Sequence, residues 1–111
     1  MKSEIKLEVT LDNTKVPEKI EWSATDGPVD GVKDSRAFLL SLWDHEEKSI
    51  FALDLWTKEM TVEEMNHMVF QNLISLSNTF FNATKNEAEA KKLKDFAVGF
   101  GQRLEVIKKP T

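Results

Sequence analysis

The sequence contains no cysteine. This absence excludes disulfide bonds and thiol catalysis, although it does not fix the cellular compartment. No stretch approaches the ~20 consecutive apolar residues that a membrane-spanning helix requires. Charges interrupt the N-terminal residues MKSEIKLEVTL too often to leave the apolar core of a secretory signal. We therefore expect a cytoplasmic protein with no direct membrane insertion.

Positive charge is also in deficit. Fifteen Lys and Arg residues stand against nineteen Asp and Glu residues, which gives a formal net charge of −4. A protein that binds nucleic acid needs a positive surface to attract the phosphate backbone. The two lysines close to the C-terminus are too few to provide one, so no nucleic-acid partner is expected.

Apolar and charged residues are present in the proportions of a folded protein. The 111 residues are 41% hydrophobic and 31% charged, and three Trp and seven Phe offer large core-forming surfaces. This length suits one compact domain. We predict a single domain over residues 1–107, followed by a flexible tail over residues 108–111.

The first half of the sequence has the period-two pattern of strands. Apolar residues alternate with polar ones in IKLEVTL and again in the segment that begins at Pro17, which predicts two half-buried strands joined by the turn DNTKV. RAFLLSLWD and SIFALDLW predict a third and a fourth strand. Both of these carry apolar residues on both faces, so we expect central strands that are covered on both sides.

The second half changes to a helical period. Thr61 and Glu64 have the spacing of a capping box, which predicts the start of a helix, and Thr84 and Glu87 repeat it for a second helix. Apolar stripes cover about half the circumference of the first helix. One of these stripes contains Phe70, Ile74 and Phe81. Gly99 and Gly101 interrupt the last turns of the second helix, where they either permit close backbone approach or let the helix fray.

Together these elements predict an α+β fold: a four-stranded antiparallel sheet followed by two C-terminal helices packed on one face. We find no internal repeat and no low-complexity tract.

The sequence offers little support for a metal site or a known catalytic motif. TDGPVDGVKDS, residues 25–35, lacks the closing Glu and the helical flanks of a calcium-binding EF-hand, so a solvated loop is favoured. His45 lies in an acidic turn, and His67 follows Glu63 and Glu64 on a polar helix face. A di-iron bundle needs the Glu-x-x-His motif twice, whereas it occurs once here. No Gly-x-Ser-x-Gly elbow is present. We therefore expect no enzyme activity, no cofactor and no metal.

Asp54 is the one charge within the fourth strand. An ionised carboxylate is not buried among leucines without a partner. Asp54 is therefore interpreted as a solvent-side carboxylate, for which Lys58 or a lysine on a neighbouring strand is a candidate partner, or as a polar group within a binding surface. A catalytic acid is the remaining alternative.

The three tryptophans lie in predicted strands, where they either build the core or line an exposed apolar groove. The third and fourth strands and the first helix carry more apolar surface than one sheet-to-helix contact requires. Surplus apolar surface of this kind usually marks an oligomer interface or a partner-binding surface. The residues singled out as a candidate partner-binding surface are Trp22, Trp43, Asp54, Trp56, Phe70, Ile74 and Phe81.

Three segments of the sequence, PEKIEWSATDG, LLSLWD and LDLWTKEMTVEEM, resemble the bacterial gliding motility protein family GldC. The resemblance runs from SEIKLEVTLD to DFAVGFGQRLE and therefore covers nearly the whole chain. It implies a small accessory protein of the gliding machinery of Bacteroidetes. The resemblance brings no catalytic residue with it.

The order of elements is also similar to that of SecB export chaperones, whose subunits oligomerise and bind unfolded clients on apolar grooves. A shared fold does not by itself establish function. The leading hypothesis is a non-enzymatic adaptor or chaperone-like module. It would act as a homodimer or higher homo-oligomer and bind a protein of the gliding or envelope machinery. The alternative is a small-molecule binder or minor enzyme with a pocket around Asp54, Trp22 and Trp56.

Overall fold

The computed structural model describes residues 1–27 and 30–108. Within these residues, five strands are followed by two helices. Their bounds are β1 Ile5–Leu11, β2 Pro17–Ala24, β3 Lys33–Ser35, β4 Ala37–Asp44, β5 Ser49–Trp56, α1 Val62–Thr84 and α2 Glu87–Arg103. The chain divides into two compact units, Met1–Met60 with all the strands and a second unit that begins at Thr61 with both helices. The α+β class and the two C-terminal helices are confirmed. The packing of the helices on a sheet face and the single domain over residues 1–107 remain predictions.

The prediction of one four-stranded sheet is wrong. β1, β2 and β3 form a three-stranded antiparallel sheet with β2 in the middle, and β4 and β5 form a separate two-stranded sheet. Both edges of β2 are thus occupied, which leaves β4 no place beside it. The chain bends at Arg36 between the two sheets, where the Ser35 hydroxyl donates a hydrogen bond to the carbonyl of Ala37 (2.8 Å).

β3 lies inside the segment that was expected to be a loop. Its three residues pair with β2, with Lys33 opposite Trp22 and Ser35 opposite Ile20. Residues 28 and 29 of the same segment lie outside the described residues, as do residues 109–111 of the predicted tail.

The turn between β1 and β2 is organised by Asp12. Its Oδ1 accepts hydrogen bonds from the backbone N–H of Thr14 (2.8 Å) and of Val16 (3.0 Å). Lys15 takes a left-handed conformation with φ 66°. Asp side chains favour turns because they bond to nearby backbone groups in this way. The turn brings Ile20 of β2 opposite Val9 of β1, and Ile20 is fully buried.

The helical unit is an antiparallel pair of helices. Lys85, which has the left-handed backbone conformation, lies in the short link between them. Thr61 and Glu64 form the predicted capping box at the start of α1. The second predicted cap is wrong: Asn86, rather than Thr84, caps α2 by accepting from the N–H of Glu89. The reason is that α1 continues through Thr84 and ends at Lys85, whose φ of 59° turns the chain directly into α2.

The contact between the helices depends on small residues. Ala90, Ala97 and Gly101 of α2 are buried, and the buried hydroxyl of Ser77 on α1 donates to the carbonyl of Ala90 (2.9 Å). A Cβ added at Gly101 would lie 2.7 Å from the ring of Phe70. Gly101 therefore permits close backbone approach, which was one of the two alternatives for the paired glycines.

Candidate protein-binding surface

The hairpin of β4 and β5 has a regular register over its full length. Ala37 lies opposite Trp56 at the base, and Asp44 lies opposite Ser49 at the turn. Oδ1 of Asp44 accepts hydrogen bonds from the N–H groups of Glu46 (2.9 Å) and Glu47 (3.2 Å), which closes the turn. The register thus fixes which side chains share a face, because residues directly opposite each other point the same way.

The two faces of this hairpin carry different residues. The Trp face is defined by Ala37, Leu39, Ser41, Trp43, Ile50, Ala52, Asp54 and Trp56. The Phe/Leu face is defined by Phe38, Leu40, Leu42, Phe51, Leu53 and Leu55. The alternation in the sequence predicted the two sides of each strand, and the register shows which side of β4 shares a face with which side of β5.

The Trp face is open to solvent at both ends. The exposed fraction is 65% for Trp43, 61% for its cross-strand neighbour Ile50, and 55% for Trp56. Trp43 and Trp56 are separated by six residue steps along the hairpin, or about 20 Å at the rise of an extended strand. Two large aromatic groups on one surface, each with an apolar body and a polar N–H, are typical of protein interfaces.

The Phe/Leu face is also incompletely covered. Phe51 is 63% exposed, and Leu42 and Leu53 are 55% and 42% exposed. The expectation of central strands covered on both sides is therefore wrong. The apolar pattern is real, but β4 and β5 form a two-stranded sheet with exposed apolar side chains on each face.

Asp54 lies on the Trp face, directly opposite Leu39. Its side chain is exposed, which accommodates an ionised carboxylate in water. Lys58, the candidate partner named from the sequence, instead pairs with the carboxylate of Asp12. Asp54 is thus a solvated negative charge between the two tryptophans.

Trp22 belongs to the other sheet. It is half-buried on β2, opposite Leu7 of β1 and Lys33 of β3. Strand pairing therefore brings Trp43, Asp54 and Trp56 onto one face but does not place Trp22 with them. A pocket shared by Asp54, Trp22 and Trp56 would have to bridge two separate sheets.

The three α1 residues of the candidate surface belong to the helical unit. Phe70 and Ile74 are half-buried, and the ring of Phe70 lies against the backbone of Gly101. Phe81 is 38% exposed, and the ammonium of Lys85 lies 5.3 Å from the centre of its ring. Phe70 thus serves the contact between the helices, whereas Phe81 is accessible from solvent.

A cleft of about 670 Å³ lies within the strand unit. Eight of its nine lining residues are polar or charged and mixed in sign: Thr10, Glu18, Lys19, Ile20, Asp34, Ser35, Arg36, Thr57 and Glu59. Neither Asp54 nor any tryptophan lines it. A second depression, at the tip of the hairpin, is lined by Leu42, Trp43 and Phe51 together with the acidic turn.

Over residues 1–27 and 30–108, no three His, Asp or Glu side chains lie close enough together to hold a metal ion. Neither of the two helices in this part of the chain is long and apolar enough to cross a membrane.

Several apolar residues of the hairpin were not singled out from the sequence. Leu39, Leu42, Ile50 and Phe51 are all substantially exposed. The sequence signal that could have identified them was their alternation with the tryptophans along each strand. It did not distinguish a buried central strand from an exposed hairpin, because both require apolar residues on both faces.

Comparison with known proteins identifies a family that matches the chain. The family described as gliding motility-associated protein GldC-like matches residues 17–106, from the start of β2 to just beyond α2. No curated protein and no solved structure matches the chain. The matched segment includes the complete β4–β5 hairpin and both helices. Since it covers well over half of the sequence, the chain belongs to the gliding motility-associated GldC-like family.

Proposed function

We propose that this chain is a non-enzymatic accessory protein of bacterial gliding motility that binds another polypeptide as an adaptor or chaperone-like module. Membership of the GldC-like family supports the link to gliding. The observation that carries the binding role is the Trp face, on which Trp43, Ile50 and Trp56 are each more than half exposed.

The chemistry of the Trp face suits a polypeptide partner. Tryptophan is enriched among the few residues that dominate binding energy at protein interfaces, and burying each ring removes a large apolar area from water. Asp54 between the rings and the acidic turn after Trp43 add negative charge. We infer a partner segment with apolar anchors and flanking basic residues, since opposite charges steer association and suppress wrong partners.

The test replaces the gene in a gliding bacterium that carries it. A variant with Trp43→Ser and Trp56→Ser is expected to lose gliding to the same extent as a deletion strain, because the partner loses both anchors. Val62→Ser is the matched control, since Val62 is 80% exposed but lies outside the hairpin. This control is expected to glide like the wild type. Circular dichroism of the purified variants checks that both are folded.

Two results would contradict the proposal. Normal gliding of the deletion strain would remove the role in motility. Normal gliding of the folded double-tryptophan variant, in a background where the deletion abolishes gliding, would remove the Trp face as the binding surface.

The partner itself is identified by placing a photo-crosslinking residue at position 43 and, as the control, at position 62.

A further inference from the structure

Among the described strands that lie at the edge of a sheet, β4 is the one with no charged residue in its interior. β1 carries Lys6 and Glu8 in its interior, β3 carries Asp34, and β5 carries Asp54. Charges of this kind protect exposed edges from pairing with other strands. β4 has no charge from Ala37 to Trp43, and it also lacks proline and glycine there. Within the described residues its only strand partner is β5.

The backbone groups that face the open edge of β4 follow from the hydrogen-bond pattern. The N–H of Thr57 donates to the carbonyl of Arg36 (2.8 Å), one step beyond the pair of Ala37 and Trp56. Hydrogen-bonded and non-hydrogen-bonded pairs alternate along an antiparallel ladder. The backbone groups of Phe38, Leu40 and Leu42 therefore point to β5, and those of Leu39 and Ser41 point to the open edge.

We propose that a second copy of this chain pairs with β4 along this edge, antiparallel, about a two-fold axis at Leu40. Two hairpins then form one continuous four-stranded sheet. A two-stranded hairpin is marginal by itself in water, whereas additional strands with an apolar face confer independent stability. This inference is separate from the proposed function, because it concerns self-association and not the partner on the Trp face.

Charge selects this register over its neighbours. With the axis at Leu40, Phe38 lies opposite Leu42 of the second copy. Arg36, the residue just before β4, then lies opposite the second copy's Asp44. The symmetry repeats this opposite-charge pair at both ends, and directly opposed charges of opposite sign stabilise strand pairs. The guanidinium of Arg36 is half exposed and also lies 3.9 Å from the carboxylate of Glu59, so it would bridge two carboxylates in the dimer.

The neighbouring registers are worse. An axis at Leu39 places Asp44 beyond the start of the second copy's β4, where it meets no strand residue and gains no opposite charge. An axis at Ser41 places the charge of Asp44 opposite Phe38. Shifts by a single residue step would put opposed side chains on different faces and are excluded by the pleat.

The absence of cysteine allows a direct test by disulfide trapping. Leu40→Cys places two thiols opposite each other at the axis in a non-hydrogen-bonded pair, where cross-strand Cα atoms are about 4.5 Å apart and a disulfide can close. This variant is expected to form a covalent dimer under mild oxidation. Leu42→Cys is the matched control, because its two thiols would lie about 13 Å apart at the extended-strand rise.

Sedimentation of the wild-type protein, which has no cysteine, is the second test of dimer formation. We expect a species of twice 12.7 kDa at micromolar concentration and dissociation on dilution. Ser41→Pro removes an N–H that faces the open edge and spares the ladder to β5, so it is expected to give a folded monomer. Asp44→Asn retains an oxygen for the turn and is expected to weaken the dimer about two- to tenfold.

A strict monomer at ~100 μM would overturn the proposal. Cross-linking of Leu42→Cys in place of Leu40→Cys would overturn the register. An unchanged dimer in a folded Ser41→Pro variant would exclude the β4 edge. None of these outcomes bears on the gliding phenotype of the tryptophan variants, so the two proposals fail independently.

Discussion

The carboxylate of Asp12 is paired with the ammonium of Lys58, which joins the turn after β1 to the segment that follows β5. The two residues are far apart in sequence, and the backbone N–H of Lys58 also donates to the carbonyl of Pro17 (3.3 Å). The pair thus fastens the end of the hairpin to the start of β2 within the strand unit. Asp12 is the less accessible partner, with a side chain that is 16% exposed.

This pair predicts a specific response to acid. The hydrogen bond from Lys58, followed by those from Val16 and Thr14, holds the pKa of Asp12 well below its usual range. A depressed folded-state pKa stabilises the fold above the ordinary value of about 3.9, and the contribution is lost as the pH falls below it. We expect the urea midpoint of the wild type to fall more steeply below pH 5 than that of Asp12→Asn.

At alkaline pH, the stability that this pair contributes changes in the opposite direction. The hydrogen bond from Lys58 to Asp12 raises the pKa of the Lys58 ammonium. Its contribution is therefore present below the ordinary value of about 10.4 and is lost as the pH rises through the folded-state value. Glu8→Gln, an exposed change on β1, is the control at both acid and alkaline pH. Equal acid sensitivity of Asp12→Asn and the wild type would show that the pair contributes nothing to stability.

Gly101 and Gly99 predict opposite effects of the same substitution. Alanine is about 1 kcal/mol better than glycine in a helix interior. At Gly101 this gain is outweighed, because the new Cβ would overlap the ring of Phe70 at 2.7 Å and overpacking costs about 1–3 kcal/mol. We expect Gly101→Ala to lower the free energy of unfolding by about 1 kcal/mol.

At Gly99 the Cβ would meet only the flexible end of Arg103, at 3.1 Å. Gly99→Ala is therefore expected to raise the free energy of unfolding by up to about 1 kcal/mol. Urea titration of both variants measures the difference. Stabilisation by Gly101→Ala would mean that α1 and α2 do not approach as closely as the structure shows.

The cap of α2 predicts different effects for two substitutions of Asn86. Asn86 accepts a hydrogen bond from the N–H of Glu89 (3.2 Å), so Asn86→Ala is expected to cost about 1 kcal/mol of unfolding free energy. Asn86→Asp keeps the acceptor and is expected to stay close to the wild type. Thermal unfolding of the two variants is the measurement, and equal losses would exclude the capping role.

Lys48, in the turn of the hairpin, has a φ of 54°. A left-handed conformation costs a residue with a side chain roughly 1 kcal/mol, whereas glycine adopts it readily. We expect Lys48→Gly to raise the free energy of unfolding by up to about 1 kcal/mol. Glu47→Gly should lower it, because Glu47 is not among the residues with positive φ. A loss of stability in both variants would contradict the strain at position 48.

Local signals in the sequence predicted most of the elements. The alternation around Val9 and Ile20 identified β1 and β2, and Thr61 with Glu64 marked the start of α1. β3 was missed because Lys33, Asp34 and Ser35 have neither apolar periodicity nor sufficient length. The cap of α2 was misassigned because Thr84 and Asn86 both favour that role, and only the tertiary course of the chain decides between them.

The candidate surface was predictable in part. Period-two alternation placed Asp54 and Trp56 on one side of their strand, whereas only the register shows that Trp43 of β4 shares that face. The alternation also grouped Trp22 with Trp56, but side-chain parity within a strand carries no information about which strands share a sheet. The pairing of Asp12 with Lys58 was equally inaccessible, because it depends on how two distant segments meet.

The uncharged run of β4 also affects the chain while it is being synthesised and folded. Its seven residues include five large apolar side chains and no charge, proline or glycine, which are features of segments that stack into cross-β fibrils. The run precedes both helices in the chain and so leaves the ribosome first. The flanking charges Arg36 and Asp44 act as gatekeepers against such stacking. We therefore expect the rate at which the edge of β4 is covered, more than the free energy of unfolding, to set how much newly made protein aggregates.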